Sequence, residues 1–223
     1  MAFDPSSRAR LTVRSLPRFV GTSLFDELAR TLCRVNVLPR KELYESWEFA
    51  RRVRRHFRGG RVVDLACGHG LVGALMLILD DSSPEALCTD VRLPKSAPLI
   101  RDALVQRWPR LADRVRLEAA TVEETPLREG DLVVSVHACG SMSDRVLDRA
   151  IEAGAQLALL PCCHPVADPE VPSWKAWVDD ALAIDLRRAL RLEAAGYQVM
   201  ARVIPERITP KNRLLLGKRT ARA

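Results

Sequence analysis

The feature that most constrains the fold is a regular alternation of short apolar runs and longer amphipathic segments, which begins near residue 61. The apolar runs have the length of buried strands and lie at residues 61–65, 86–89, 115–118, 131–136, 156–160, 197–204 and 213–217. Helical periodicity occupies most of the intervals between them, at residues 70–79, 97–107, 143–153 and 179–195. Because parallel strands need a crossover between them, this order predicts an α/β fold with a Rossmann-like, mostly parallel sheet covered by helices on both faces.

The last two apolar runs depart from this rule. Only residues 206–212, ERITPKN, separate them, and a connection that short cannot make a parallel crossover. We therefore expect seven strands, of which the last runs antiparallel to the strand before it.

The N-terminal part of the chain has a different character. Residues 1–20 are rich in arginine and show little apolar periodicity, so we expect a mobile arm or a loosely docked strand there. Residues 24–35 and the segment from Pro39 to Phe57 carry apolar residues at helical spacing, and Gly59–Gly60 ends the second segment. These patterns predict an N-terminal arm and helical cap over residues 1–58 and one catalytic or binding domain over residues 59–223.

The composition of the chain indicates the compartment in which the protein is expected. The chain is 48% hydrophobic and 28% charged, which is ordinary for a globular protein. Its longest nearly pure apolar run, residues 71–79, is much shorter than a membrane span. The first ten residues lack the order of a signal peptide, and the six cysteines are scattered rather than spaced as a disulfide framework. We expect a cytoplasmic protein that does not enter a membrane; the composition leaves its oligomeric state open.

A cofactor site is predicted where the first strand ends, in the sequence VVDLACGHG. Asp64 closes the strand, Ala66 follows in the turn, and Gly68 and Gly70 open the next helix. Glycine at such a turn permits a tight bend and a close approach of ligand to backbone. The carboxyl ends of strands in an open α/β sheet are also where ligands bind. An acid at this position suits the sulfonium and amino groups of S-adenosylmethionine.

Two further positions extend this site. The second strand ends in Asp90, where a carboxylate can accept hydrogen bonds from both hydroxyls of a ribose. After the third strand, Thr121 and Val122 lie where an adenine ring would be flanked.

A dinucleotide cofactor is the competing interpretation. Gly68, Gly70 and Gly73 spell G-x-G-x-x-G, and Asp90 follows at a distance that a dinucleotide fingerprint also shows. In that fingerprint the first glycine follows the strand directly, whereas residues 65–67 intervene here. An NAD-dependent oxidoreductase is therefore retained only as an alternative.

The second half of the chain carries a more specific pair of motifs. The first reads H-x-C-G-x-x-S-D and consists of His137, Cys139, Gly140, Ser143 and Asp144. The second ends the fifth strand and consists of Cys162, Cys163 and His164. Together with the glycine-rich loop, this pair resembles a branch of the class I S-adenosylmethionine-dependent methyltransferases. The branch includes the methyltransferase-like 25 proteins, the methyltransferase domain of the glutathione S-transferase C-terminal domain-containing protein, and the eukaryotic tRNA 2′-O-ribose methyltransferase.

The resemblance implies a methyltransferase whose catalytic positions are His137, Asp144 and His164. His137 and His164 end neighbouring strands, and an oxygen acceptor needs a base such as histidine to remove its proton. Two alternatives for the cysteines stay open. Cys139 and Cys162 occupy places from which a cysteine attacks the base in RNA cytosine-5 methyltransferases. A zinc site would have to draw on the same cysteines and histidines, but the chain contains no C-x-x-C spacing and we expect no metal.

The acceptor is the least determined part. A net charge of +7 is compatible with an RNA substrate such as tRNA or rRNA. Trp174 lies in the loop after strand five and can stack on a base, while Lys211, Asn212 and Arg213 lie in the final hairpin turn, at the same edge of the sheet. We name these four as candidate substrate-binding residues. A protein side chain or small molecule as acceptor, and an S-adenosylmethionine-binding scaffold without catalysis, remain alternatives.

Overall fold

Seven strands and six α-helices make up the computed structural model, which describes residues 3–136, 138–161 and 177–220. The helices are α1 Leu24–Val35, α2 Arg40–Val53, α3 Leu71–Leu79, α4 Ala97–Arg107, α5 Met142–Ala153 and α6 Asp180–Ala194. The strands are β1 Val62–Leu65, β2 Ala86–Asp90, β3 Val115–Ala119, β4 Leu132–Ser135, β5 Gln156–Leu159, β6 Tyr197–Val203 and β7 Arg213–Arg219. Short 3-10 helices cover Val13–Arg18 and Pro109–Leu111.

The strands form one sheet in the order β3-β2-β1-β4-β5-β7-β6. The pairs β1–β2, β1–β4, β2–β3 and β4–β5 are parallel, while β7 is antiparallel to both β5 and β6. The predicted Rossmann-like sheet with an antiparallel last strand is therefore confirmed. Its consequence for function is that β1, β2, β4 and β5 all end at the same edge, which we call the carboxyl edge.

Two apolar layers cover the sheet. Helices α1 to α4 pack on one face around a core that includes Phe49, Leu75 and Met76, all fully buried. Helices α5 and α6 pack on the other face around Val146, Leu192 and their neighbours. The central strands β1 and β4 are buried along their whole length, as parallel strands covered on both faces must be. No helix among the described residues is long and apolar enough to cross a membrane.

Helix ends follow local signals in the sequence. Ser23 caps α1 by accepting a hydrogen bond from the amide of Asp26, and Asp179 caps α6 in the same way through Leu182. Gly154 ends α5 in the left-handed conformation that glycine adopts at little cost.

The N-terminal arm is docked more firmly than the sequence predicts. Leu11 and Phe19 are buried in the same core as α1 to α4. The Leu11 amide donates to the Leu38 carbonyl at 2.9 Å, and Arg10 pairs with Pro39 in an isolated antiparallel bridge. The expectation of a mobile arm or loosely docked strand is therefore wrong, because apolar residues of the arm complete the core beside α1 and α2. The division of the chain at residue 58 stays a prediction.

Candidate active site

The glycine-rich loop between β1 and α3 has an unusual backbone. Ala66, Gly68 and Gly70 all have positive φ values, of 53°, 54° and 71°. A Cβ on Gly70 would lie only 2.6 Å from Leu117 Cδ2, so a side chain at this position would require the Leu117 side chain to move. The Cys67 amide donates to the Thr89 carbonyl at 3.0 Å, which ties the loop to the end of β2. The loop is thus a compact, left-handed turn at the carboxyl edge.

Ala66 occupies a conformation that costs an L-residue about 1–2 kcal/mol relative to a right-handed one. Ala66→Gly is therefore expected to raise the free energy of unfolding, by about 1 kcal/mol once the greater chain entropy of glycine is subtracted. Chemical denaturation of the two proteins measures this difference. A lower stability of the glycine variant would show that the alanine methyl makes packing contacts worth more than the strain.

Asp64, the acid at the end of β1, is almost completely buried, with 1% of its surface exposed. Its carboxylate accepts a hydrogen bond from the Gly73 amide at 2.9 Å. A side chain at Gly73 would overlap the Cys88 sulfur, so α3 approaches the strand this closely only with glycine there. Burial raises the pKa of Asp64 to about 7, against the opposing effect of the Gly73 hydrogen bond and with a smaller contribution from the Asp90 and Glu42 carboxylates.

Asp90, at the end of β2, has both carboxylate oxygens directed at backbone amides. Oδ2 accepts from Gly68 at 3.0 Å and Oδ1 from Arg92 at 2.9 Å. A carboxylate oxygen has two lone pairs, so each oxygen can accept one further hydrogen bond. The side chain is only partly buried. Asp90 is therefore oriented by the loop that it helps to hold, and it keeps the capacity to bind two hydroxyls of a ribose.

Thr121 and Val122, which the sequence predicts to flank an adenine ring, lie beside Asp90. Together with Ala66, Asp90 and Met142 they line one cavity at the carboxyl edge, and an ion pair between Glu123 and Arg145 borders it. Val122 is buried, whereas the Thr121 hydroxyl is bonded to the carboxylate of Glu124 at 2.9 Å. Val122 thus gives this edge an apolar wall beside the Asp90 carboxylate, and the binding of adenosine by these residues stays a prediction.

The structure adds one residue to this site that sequence reasoning missed. The His69 Nδ1 atom lies 2.8 Å from Glu42 Oε1, and its Nε2 atom lies 3.0 Å from Ser96 Oγ. Its position between the two glycines of the loop is the one feature of the sequence that could have indicated His69. Its partners are on α2 and at the start of α4, each 27 residues away along the chain, and no local pattern indicates them.

Asp144 is surrounded by arginines of α6. Its carboxylate pairs with Arg188 at 2.7 Å and with Arg191 at 2.9 Å. Arg188 is fully buried and also bonds to Asp185 at 3.2 Å and to the Gly140 carbonyl at 3.3 Å. These contacts tie the loop after β4 to α6. A catalytic role for Asp144 stays a prediction, and the structure gives this side chain a set of partners within the protein.

The hairpin residues proposed for substrate binding also have structural partners. Arg213 bonds to Asp185 at 2.7 Å, and the Asn212 side-chain amide donates to the Ile204 carbonyl at 3.1 Å. Lys211 is exposed. Of the remaining candidates, Cys139 is exposed after β4, whereas His137, Cys162, Cys163, His164 and Trp174 lie outside the described residues.

Comparison with known proteins agrees with this arrangement. A family model described as a methyltransferase domain matches residues 40–167. The glutathione S-transferase C-terminal domain-containing protein homolog of Drosophila melanogaster is 31% identical over an alignment that covers 38% of this chain and 21% of the relative. The alignment thus spans about a fifth of the length of that larger protein.

Solved structures show the same fold at low sequence identity. An O-methyltransferase from Thermotoga maritima superposes with a TM-score of 0.53 at 16% identity, covering 90% of this chain and 73% of that one. An O-methyltransferase family protein from Burkholderia thailandensis superposes with a TM-score of 0.52 at 17% identity, covering 96% and 64% of the two chains. At these identities the superpositions show the fold only and do not identify the methyl acceptor.

Proposed function

The chain belongs to the methyltransferase domain family whose model matches residues 40–167, and from this premise we propose that it transfers a methyl group to RNA. It is an S-adenosylmethionine-dependent methyltransferase in fold and family. The dinucleotide interpretation is not retained, because the antiparallel strand β7 is inserted between β5 and β6, whereas the doubly wound dinucleotide fold has six strands in the order 3-2-1-4-5-6. The proposal concerns the acceptor.

The observation that supports RNA is the set of exposed cations near the carboxyl edge. The arm lies against the start of α2, since the Arg40 amide donates to the Ala9 carbonyl at 2.9 Å and the Lys41 amide to Ser7 at 3.0 Å. Glu42, in the same turn of α2, contacts the glycine-rich loop through His69. Arg8 and Arg10, which flank Ala9, are both exposed. The arm therefore presents two cations close to the cofactor site.

Further cations lie on the loops that surround this edge. Arg92 and Lys95 are exposed in the segment that follows Asp90, and Arg207 is exposed in the turn between β6 and β7. None of these three, nor Arg8 or Arg10, forms an ion pair with any residue in the part of the chain that the structure describes. Exposed cations without internal partners are available to neutralise phosphates, which is the main source of affinity for a nucleic acid.

The protein's part in the reaction follows from its own side chains. S-adenosylmethionine supplies a methyl group on a sulfonium, and the residues of the site must hold donor and acceptor in line. Asp90 and the backbone of the glycine-rich loop would hold the nucleoside part, and Asp64 would supply a carboxylate to the cationic part of the ligand. An oxygen acceptor also has to lose a proton, for which His137 remains the predicted base.

Removing arm cations tests the RNA proposal. We expect the double variant Arg8→Ala/Arg10→Ala to bind a mixed-sequence single-stranded RNA oligonucleotide more weakly. The slope of log affinity against log salt should become shallower by about 0.7 for each phosphate that the variant no longer neutralises. Fluorescence anisotropy at several salt concentrations measures both quantities. Arg128→Ala is the matched control, because Arg128 is an exposed arginine just before β4, at the opposite edge of the sheet.

A transfer assay with a tritiated methyl donor completes the test. Purified protein is incubated separately with total RNA and with total protein from a strain that lacks the gene. Label in RNA, reduced in the arm variant, supports the proposal. Label confined to the protein fraction would show that the acceptor is a protein. Cofactor binding without label in any fraction would favour the scaffold alternative.

A second acceptor class has one specific observation in its favour. An apolar groove of about 490 Å³ lies between α6 and the β6–β7 hairpin, within the size range of small-molecule sites. Leu182, Leu186, Val203 and Leu214 are among its lining residues, and Pro161 brings it to the end of β5 at the carboxyl edge. This groove suits an apolar small molecule or side chain, and label in a small-molecule extract would identify it as the acceptor subsite.

A further inference from the structure

We propose that His69 is a positioning residue through which the N-terminal helices set the affinity for the cofactor. Its imidazole joins Glu42 of α2, at 2.8 Å, to Ser96 at the start of α4, at 3.0 Å. We refer to Glu42, His69 and Ser96 as the loop clamp. The inference rests on the S-adenosylmethionine site and is independent of which acceptor the protein uses.

The loop needs external support because of its composition. Gly68 and Gly70, on either side of His69, are both left-handed, and glycine loses more conformational freedom on ordering than any other residue. Asp90 fixes the Gly68 amide from the side of β2. The loop clamp holds the same segment from α2 and α4, so that three elements determine the position of one short turn. A turn that is already ordered binds its ligand without a further entropic cost.

The hydrogen-bonding pattern of the clamp is defined by its partners. A carboxylate only accepts, so His69 Nδ1 carries the proton and donates to Glu42. In the neutral imidazole Nε2 then accepts a hydrogen bond from the Ser96 hydroxyl. All three side chains are partly buried. In this environment a charge-assisted hydrogen bond contributes more than an exposed one.

A serine, a histidine and a glutamate in this order also occur in enzymes with a nucleophilic serine. The surroundings of Ser96 instead indicate that it holds His69 in position. A nucleophilic serine needs amide donors for the developing oxyanion. Here the Ala97 amide already donates to the Pro94 carbonyl, and Pro98 has no amide proton to offer. The first two residues of α4 therefore supply no donor for an oxyanion.

The clamp also connects the arm to the cofactor site. Pro39 precedes α2 and provides no side-chain cap. The carbonyls of Ala9 and Ser7 instead accept hydrogen bonds from the Arg40 and Lys41 amides, the first two of the helix. The arm thus caps the turn of α2 that carries Glu42, and Glu42 in turn holds His69.

The first test compares three His69 variants in binding of S-adenosylhomocysteine, measured by isothermal titration calorimetry. His69→Ala should raise the dissociation constant about tenfold, the effect of losing one to two hydrogen bonds. His69→Asn places a side-chain amide near the Nδ1 position and should recover part of the affinity through Glu42. His69→Gln reaches toward Ser96 and should recover part of it through that residue.

The second readout needs no ligand. Amide hydrogen exchange at Gly68 and Gly70 in the free protein should accelerate in His69→Ala and in Glu42→Ala. Glu48→Ala is the matched control: Glu48 is a partly buried carboxylate on the same helix that pairs with Arg51 and Arg52, away from the loop. Its removal should leave both the loop exchange and the dissociation constant unchanged.

Two results would overturn the proposal. One is an unaltered dissociation constant in His69→Ala. The other is an equal loss in Glu42→Ala and Glu48→Ala, which would show a general effect of destabilising α2. Because neither measurement involves an acceptor, these outcomes leave the RNA proposal untouched, and failure of RNA methylation would leave the loop clamp untouched.

Discussion

Replacing Asp64 by asparagine is expected to stabilise the folded protein near neutral pH and at the same time to weaken binding of S-adenosylmethionine. Burial raises the pKa of this carboxyl to about 7, from an ordinary value of 3.8. A shift of one pKa unit corresponds to about 1.4 kcal/mol, so ionising Asp64 in the folded state costs a few kcal/mol. Asparagine carries no such cost, and its side-chain oxygen can still accept the hydrogen bond from Gly73.

The pH dependence of stability is a second test of the raised pKa of Asp64. Between about pH 4 and pH 7 the folded protein retains a proton on Asp64 that the unfolded chain has already released. The stabilisation from this group is therefore complete below pH 4 and is lost as the pH rises to about 7. Urea denaturation across this range should show the wild type losing stability relative to Asp64→Asn, with the difference constant above the upper limit. Parallel pH profiles of the two proteins would contradict the assignment.

The same substitution should impair the cofactor site. A cationic ligand favours the ionised carboxylate, so binding to the wild type should weaken as the pH falls below about 7. In Asp64→Asn the affinity should be lower by at least tenfold, the worth of one hydrogen bond to a charged group, and independent of pH in this range. Titration calorimetry at three pH values measures this. Equal affinity in both proteins would remove Asp64 from the binding site.

The second large effect is expected at Arg188, the fully buried arginine of α6. Arg188→Ala would remove the arginine that Asp144 and Asp185 share, together with its hydrogen bond to the Gly140 carbonyl, from a fully buried position. Removing one member of a buried ion pair costs about 3–5 kcal/mol. We expect a loss of this size in the free energy of unfolding, measured by urea denaturation.

Arg191→Ala is the control on the same helix, since Arg191 pairs with Asp144 and Asp148 but is one-third exposed. Exposed ion pairs contribute about 0–1 kcal/mol, so its loss should be small. Similar losses in both variants would mean that solvent reaches Arg188. Asp144→Asn then separates the two roles of that residue: a structural role lowers stability and spares turnover, whereas the predicted catalytic role lowers turnover.

The architecture could be read from the sequence because its signals are local. The strand-helix alternation after residue 61 predicts the mostly parallel sheet, and the short link before β7 predicts that this last strand in the chain is antiparallel; the insertion of β7 between β5 and β6 is seen only in the structure. The positions of Asp64, Gly68, Gly70 and Asp90 relative to strand ends place them at one edge, since parallel strands end together. The glycines of the turn after β1 are also visible in the sequence, because each left-handed position favours glycine independently of the rest of the fold.

The tertiary structure alone decided which distant side chains meet. His69 joins Glu42 and Ser96, and Arg188 joins Asp144 and Asp185, across helices whose mutual orientation depends on packing against the sheet. The arm docks because Leu11 and Phe19 complete a core formed mainly by other elements. Such contacts depend on the shape of the assembled core and on which charged side chains are buried next to each other. The periodicity of a single segment carries no information about either.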